Sequence, residues 1–84
     1  MASLPERKET RQAIMREIYR LTDGDTNKGA NANELAADLG ISQEDMEAAV
    51  NYLVNEHLLR WGPAMGLVGL THQGLRKMEN EDDG

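Results

Sequence analysis

The sequence predicts a mostly helical α+β fold, with a three-helix core, a two-stranded β-hairpin and a short C-terminal helix. Two helix starts are marked by a capping residue that is followed three positions later by an acid, at Asn31 and Ser42. Between them, Gly40 is placed to end the intervening helix. Two short apolar runs, 58–61 and 67–70, flank a Gly-Pro segment and predict the hairpin.

The first helix is predicted over residues 5–21. Pro5 suits the first helical position, where an N–H group would have no partner within the helix. Apolar residues then recur at the spacing of one buried face: Ile14, Ile18 and Leu21. The stretch 22–30, TDGDTNKGA, lacks apolar periodicity and is predicted to be a loop.

The second helix is predicted over 32–39 and the third over about 43–56. Asn31 and Ser42 cap them, and Gly40 with Ile41 forms the turn between them, Ile41 filling the core. The third helix has the clearest buried face: Met46, Ala49, Val50 and Leu53.

Thr71 is predicted to cap a last short helix, with Leu75 and Met78 against the core. The acidic end, 80–84, is expected to fray into water. The 84 residues therefore predict one domain over 1–84, with an ordered core at about 5–79.

Charge and composition narrow the class of protein. The chain has 9 Lys+Arg against 15 Asp+Glu, a net charge of −6, which argues against a simple basic nucleic-acid binder. It has no cysteine, so disulfides, thiolate nucleophiles and cysteine-based zinc sites are excluded. No apolar run approaches the roughly 18 to 20 residues of a membrane span, and the first 20 residues do not resemble a secretory signal. We therefore expect a cytoplasmic protein.

Neither a metal site nor an enzyme is expected. His57 and His72 are the only histidines, have no obvious shared face, and His57 falls at the predicted end of the third helix. The only serines are Ser3 and Ser42, and Ser42 is assigned to a cap. No catalytic Ser/His/Asp set and no phosphate-binding glycine loop can be assembled, so no cofactor is predicted.

The order of these elements resembles the winged helix-turn-helix proteins. The segment NELAADLGISQEDMEAAVNYLVNEHLL, which starts at Asn33, resembles the helix-turn-helix core of bacterial and archaeal members. LTHQGLRKME, at 70–79, is similar to the leucine-threonine-x-x-glycine segment that follows the wing in many of these regulators. The resemblance covers about residues 10–79 and implies a winged-helix fold, which serves both as a DNA reader and as a protein-docking module.

The first function that the resemblance implies is that of a transcription-regulator-like protein that binds double-stranded DNA, with the helix 43–56 as recognition helix. Amide and carboxylate side chains would read base edges and basic ones would contact phosphates. The predicted contacts are Gln43, Glu47, Asn51, Arg16, Lys28 and Arg60. Two copies would be needed for useful affinity, with the first helix as the homodimer contact. The alternative for the basic side chains of the first helix is a solvated face.

The alternative function is protein docking. The third helix carries four acids and no base, which suits a basic partner, and the wing tip is apolar. The docking residues would be Trp61, Pro63, Met65, Glu44 and Tyr52, with Tyr52 extending the apolar tip. Trp61 is expected either to pack over the third helix or to act as an exposed anchor. A third possibility is that the sequence is one domain of a larger chain.

Overall fold

The computed structural model describes residues 4–62 and 66–83, with side chains over 8–62 and 66–80. Within these ranges the fold is α+β and mostly helical. The elements are, in order, α1 (Leu4–Thr22), β1 (Ala30–Asn31), α2 (Ala32–Leu39), α3 (Gln43–Asn55), β2 (Leu59–Trp61), β3 (Leu67–Leu70) and α4 (His72–Asp83). The strands form an antiparallel sheet in the order β1–β3–β2. Pro63 and Met65, which were predicted as docking residues, lie outside the described residues.

The core is formed by one face of each helix and by side chains of the three strands. All four residues predicted as the buried face of α3 are buried. The prediction for Leu21 is wrong, because its side chain is 48% exposed. Thr22 takes the last buried position of α1 instead, and its hydroxyl donates a 2.7 Å hydrogen bond to the carbonyl of Ile18. The buried face of α1 therefore includes positions 14, 15, 18 and 22, and Leu21 lies beside it.

The predicted caps of α2 and α3 are confirmed. Asn31 Oδ1 accepts a hydrogen bond from the backbone N–H of Glu34, and Ser42 Oγ accepts one from that of Asp45, each at 3.1 Å. Gly40 ends α2 at φ 67°, in the left-handed region where glycine avoids the clash of a Cβ atom. These contacts fix the short turn that orients α3 relative to α2.

The strand β1 begins at Ala30, the last residue of the stretch 22–30 that was predicted to be a loop, and ends at Asn31. Ala30 pairs with Val68 of β3, so the loop prediction is wrong at that residue. Gly69 allows this approach, because a Cβ atom there would lie 2.7 Å from the carbonyl oxygen of Lys28. A two-residue strand has no periodicity of its own, and this long-range pairing therefore leaves no pattern in the sequence.

Thr71 joins the end of α3 to the start of α4. Its hydroxyl donates to the carbonyl of His57 and accepts from the backbone N–H of Gly74 at 2.9 Å. Its own N–H donates to the carbonyl of Leu58 at 3.1 Å. A Cβ atom on Gly74 would clash with that same carbonyl. The LTHQG segment thus needs threonine as a cap and glycine for close packing.

The helix α4 continues to Asp83, which places residues 80–83 of the acidic end in the helix. Between Gly74 and the final glycine, Gly84, no glycine or proline interrupts the chain. The intervening residues include Leu, Arg, Lys, Met and Glu, which lose little side-chain freedom in a helix. Once a helix has nucleated, adding such residues to its end costs little free energy.

Candidate interaction surface

The exposed side of α3 carries a row of polar side chains. Gln43, Glu47 and Asn51 follow the i, i+4, i+8 spacing and are all exposed. Next to this row around the helix, Met46 and Val50 are 3% and 0% exposed and anchor the backbone to the core. The three residues predicted to read base edges therefore lie together on a firmly held helix.

This row borders a groove of about 610 Å³ between the helices α2 and α3 and the end of β2. The apolar part of its lining includes Met46, Val50 and Trp61. Asn33, Gln43 and Glu47 supply polar groups. Trp61 lies beside α3 and is 45% exposed, so it presents a large apolar surface to solvent. We call this feature the Trp61 groove.

The surface around the Trp61 groove is negative. The helices α2 and α3, with the turn between them, carry acids and no Lys or Arg. All of these acids are exposed: Glu34, Asp38, Glu44, Asp45 and Glu47. Their field attracts cationic groups and opposes phosphates.

Arg60 has a structural role that the sequence did not reveal. Its side chain is half-buried, and its guanidinium donates a hydrogen bond to the carbonyl of Thr26. It also lies against Gly69, where a Cβ atom would be 3.5 Å from Arg60 Nη2. Arg60 thus connects the α1–β1 loop to the sheet, and this contact engages the guanidinium that was predicted to hold a phosphate.

The other predicted phosphate contacts are dispersed. Arg16 on α1 and Lys28 in the α1–β1 loop are exposed, and neither lines the Trp61 groove. Arg20 forms an ion pair with Glu17 on α1. The hydrogen bond from Arg20 lowers the pKa of the Glu17 carboxyl, and the same contact raises the pKa of the Arg20 guanidinium. This pair fits the prediction of a solvated, partly neutralised helix face.

Tyr52 lies on the opposite flank of α3 from the polar row. The Arg11 guanidinium carbon is 4.1 Å from the centroid of its ring, and the two side chains line a second crevice with residues of α4. Tyr52 therefore lies on a different flank of α3 from Trp61, and the apolar tip that it was predicted to extend, at 63–65, lies outside the described residues. The sequence contains the reason, since the turn of 100° per residue separates Tyr52 from Gln43 and Glu47 by about half the helix circumference.

The histidines are closer than expected. His57 and His72 line one open concavity together with Thr71 and Arg76, although the sequence suggested no shared face. His57 ends α3 at φ 63°, which agrees with its predicted place at the helix end. Among the side chains that the structure describes, no group of three His, Asp or Glu residues is arranged to hold a metal ion.

Comparisons of the chain with protein-family models, with curated proteins and with solved structures find no match. Within the described ranges, none of the helices has both the length and the apolarity needed to cross a membrane.

Proposed function

We propose that this chain is a winged helix-turn-helix domain that binds double-stranded DNA. The helices α2 and α3 with the left-handed turn at Gly40 correspond to the helix-turn-helix, and β2 and β3 correspond to the wing. In this class of domain, the second helix of the motif enters the major groove and the wing lies beside it. Here α3 has that position in the element order and exposes a polar side.

The observation that carries the proposal is the exposed row formed by Gln43, Glu47 and Asn51. Glutamine and asparagine amides pair with two atoms of an adenine edge, and a glutamate accepts from the amino group of cytosine. A good two-atom contact discriminates against the wrong base by roughly 1 to 3 kcal/mol. The row therefore supplies sequence readout from one helix face.

Because the net charge of the chain is −6, phosphate contacts should contribute less to DNA binding than base contacts do. The acids of α2 and α3 oppose the backbone, and Arg60 is engaged with Thr26. Affinity for DNA of arbitrary sequence should therefore be low, and its salt dependence shallow, since the slope is about −0.9 per phosphate neutralised. Two copies joined through α1 would double the number of contacts and read two half-sites.

The proposal is tested by comparing two glutamine variants in a binding assay with a selected duplex. Gln43→Ala removes one base-edge contact and is expected to weaken binding about tenfold, since 1.4 kcal/mol corresponds to a factor of ten. Gln73→Ala removes an exposed glutamine of α4 and is the matched control, which should bind as the parent does. Equal affinities for both variants would contradict the role of the α3 row.

Docking of a basic protein segment is a second candidate, favoured by the Trp61 groove. A lysine or arginine side chain could lay its stem beside the exposed Trp61 ring, place its cation against the indole and pair with Glu47. Trp61 is the only tryptophan, so its fluorescence reports directly on the groove. Saturable quenching by an arginine-rich peptide, with none by duplex DNA, would favour docking; the reverse would favour DNA binding.

A further inference from the structure

A second crevice lies between α1, α3 and α4, on the flank of α3 away from the Trp61 groove. Its volume is about 180 Å³. The apolar side chains that line it are Met15, Leu53, Leu58 and Met78, of which three are at most 3% exposed. We call this feature the Arg11 crevice, because Arg11 lines it and contacts Tyr52 beside it.

Arg11 is held in place by an aromatic ring rather than by a carboxylate. Its guanidinium carbon lies 4.1 Å from the centroid of Tyr52, a cation–π contact that fixes the side chain while leaving its N–H donors in the plane of the group. Among the side chains that the structure describes, no carboxylate forms an ion pair with Arg11. Arg11 is therefore a fixed cation whose N–H groups are available to donate hydrogen bonds to a ligand in the crevice.

The charge balance of the Arg11 crevice is positive. Of the side chains that the structure describes, Lys8 and Lys77 line it with Arg11, against one carboxylate, Glu56. Lys77 has another interaction in the fold, so the argument depends on Arg11 and Lys8. Both are on α1, on the side that faces α3 and α4. This arrangement differs from the Trp61 groove, where the only ionisable lining group is an acid.

We propose that the Arg11 crevice binds a small organic acid with a short aliphatic chain. The carboxylate would accept hydrogen bonds from Arg11 and Lys8, and the chain would lie against Leu58 and Tyr52, with the buried methionines at the floor of the crevice. The volume equals that of roughly six water molecules at about 30 Å³ each, well below the roughly 300 Å³ of a site for drug-sized ligands. The flexible methionines suit a linear chain better than a rigid ring.

Hexanoate is the probe, and the methionine methyl groups are the reporters. Met15 and Met78 line the Arg11 crevice, whereas Met46 lines the Trp61 groove and serves as an internal control. In spectra of methyl-labelled protein, hexanoate should shift Met15 and Met78 saturably and leave Met46 in place. 1-Hexanol, which has the same chain without the charge, should bind at least about fivefold more weakly.

Two variants on α1 separate a binding role from a general charge effect. Arg11→Gln and Lys8→Gln should each weaken hexanoate binding about fivefold. Arg16→Gln removes an exposed cation of the same helix that does not line the crevice, and it should bind hexanoate as the parent does. The methyl spectrum without ligand shows whether each variant is folded.

The proposal is overturned if hexanoate fails to shift Met15 and Met78 saturably, or if Met46 shifts as much as they do. It is also overturned if 1-hexanol binds as tightly as hexanoate, because the site would then be an apolar gap without anion preference. Equal hexanoate affinities of the Arg11→Gln variant and the parent would also show that the site has no anion preference. The readout requires no DNA, so its failure is distinct from failure of the proposed function.

Discussion

The guanidinium of Arg60 donates a hydrogen bond to the carbonyl of Thr26, 34 residues earlier in the chain. This contact connects β2 to the loop that leads into β1, and it crosses β3 at Gly69, where there is no side chain to obstruct it. A residue that looks like a phosphate contact in the sequence is therefore a cross-link of the fold. This contact is the basis of the first prediction.

Arg60→Ala should lower the free energy of unfolding by about 1 to 2 kcal/mol. The change leaves the Thr26 carbonyl without its charged donor and removes the packing of the arginine stem on the sheet. Urea unfolding measures the loss. Lys28→Ala, at an exposed position of the same loop, is the control and should stay within about 0.5 kcal/mol of the parent. An unchanged Arg60→Ala midpoint would show that the cross-link does not stabilise the fold.

Gly74→Ala should be among the most destabilising single changes, costing about 2 to 3 kcal/mol. The added Cβ would clash with the Leu58 carbonyl, so α4 would have to move away from the α3–β2 turn. Gln73→Ala, one position earlier and exposed, should change stability by less than about 0.5 kcal/mol. Thermal unfolding of the two variants side by side gives the comparison. Similar stabilities would mean that α4 does not depend on this close approach.

His57→Gly should raise the free energy of unfolding by about 1 kcal/mol. His57 has φ 63°, a region in which a non-glycine residue costs roughly 1 to 2 kcal/mol, and glycine avoids this cost at some expense in chain entropy. The backbone carbonyl that accepts from Thr71 is retained in the variant. A loss of stability in urea unfolding would instead assign the imidazole a packing or hydrogen-bonding role.

The ion pair of Glu17 and Arg20 predicts a small loss of folding stability at acid pH. Because the pKa of Glu17 is lowered in the folded state, the pair stabilises the fold above the ordinary value of 4.5, and this contribution is lost as the pH falls through the lowered value. Arg20→Gln should move the Glu17 carboxyl pKa back up, which carboxyl-carbon NMR titration measures. An unmoved titration would show that the pair does not persist in solution.

Local signals in the sequence were sufficient to predict α2, α3 and the turn between them. The caps at Asn31 and Ser42 and the turn at Gly40 depend on hydrogen bonds between residues at most four apart, so the residue types alone indicate them. The same holds for the exposed row on α3, because the helix period and the buried face determine which residues are left outside.

The rest depends on contacts between distant segments. The strand β1 exists through pairing with β3, and Leu21 is exposed because the buried face of α1 shifts towards Thr22 at its end. The partners of Arg60 and Tyr52 are determined by how the loop and α1 pack, and no local spacing encodes them. The sequence therefore predicted which residues of α3 are exposed but not what surrounds them.

An NMR titration of isotope-labelled protein with a mixed-sequence duplex shows whether the exposed row of α3 contacts DNA. At low salt, binding through α3 should perturb the amides of residues 42–52 and of the strands 59–61 and 67–70 and leave α4 unaffected. Because few phosphates are neutralised, these perturbations should weaken only gradually as the salt concentration rises. No perturbation at low salt, or perturbation confined to α1 and α4, would contradict DNA binding through α3.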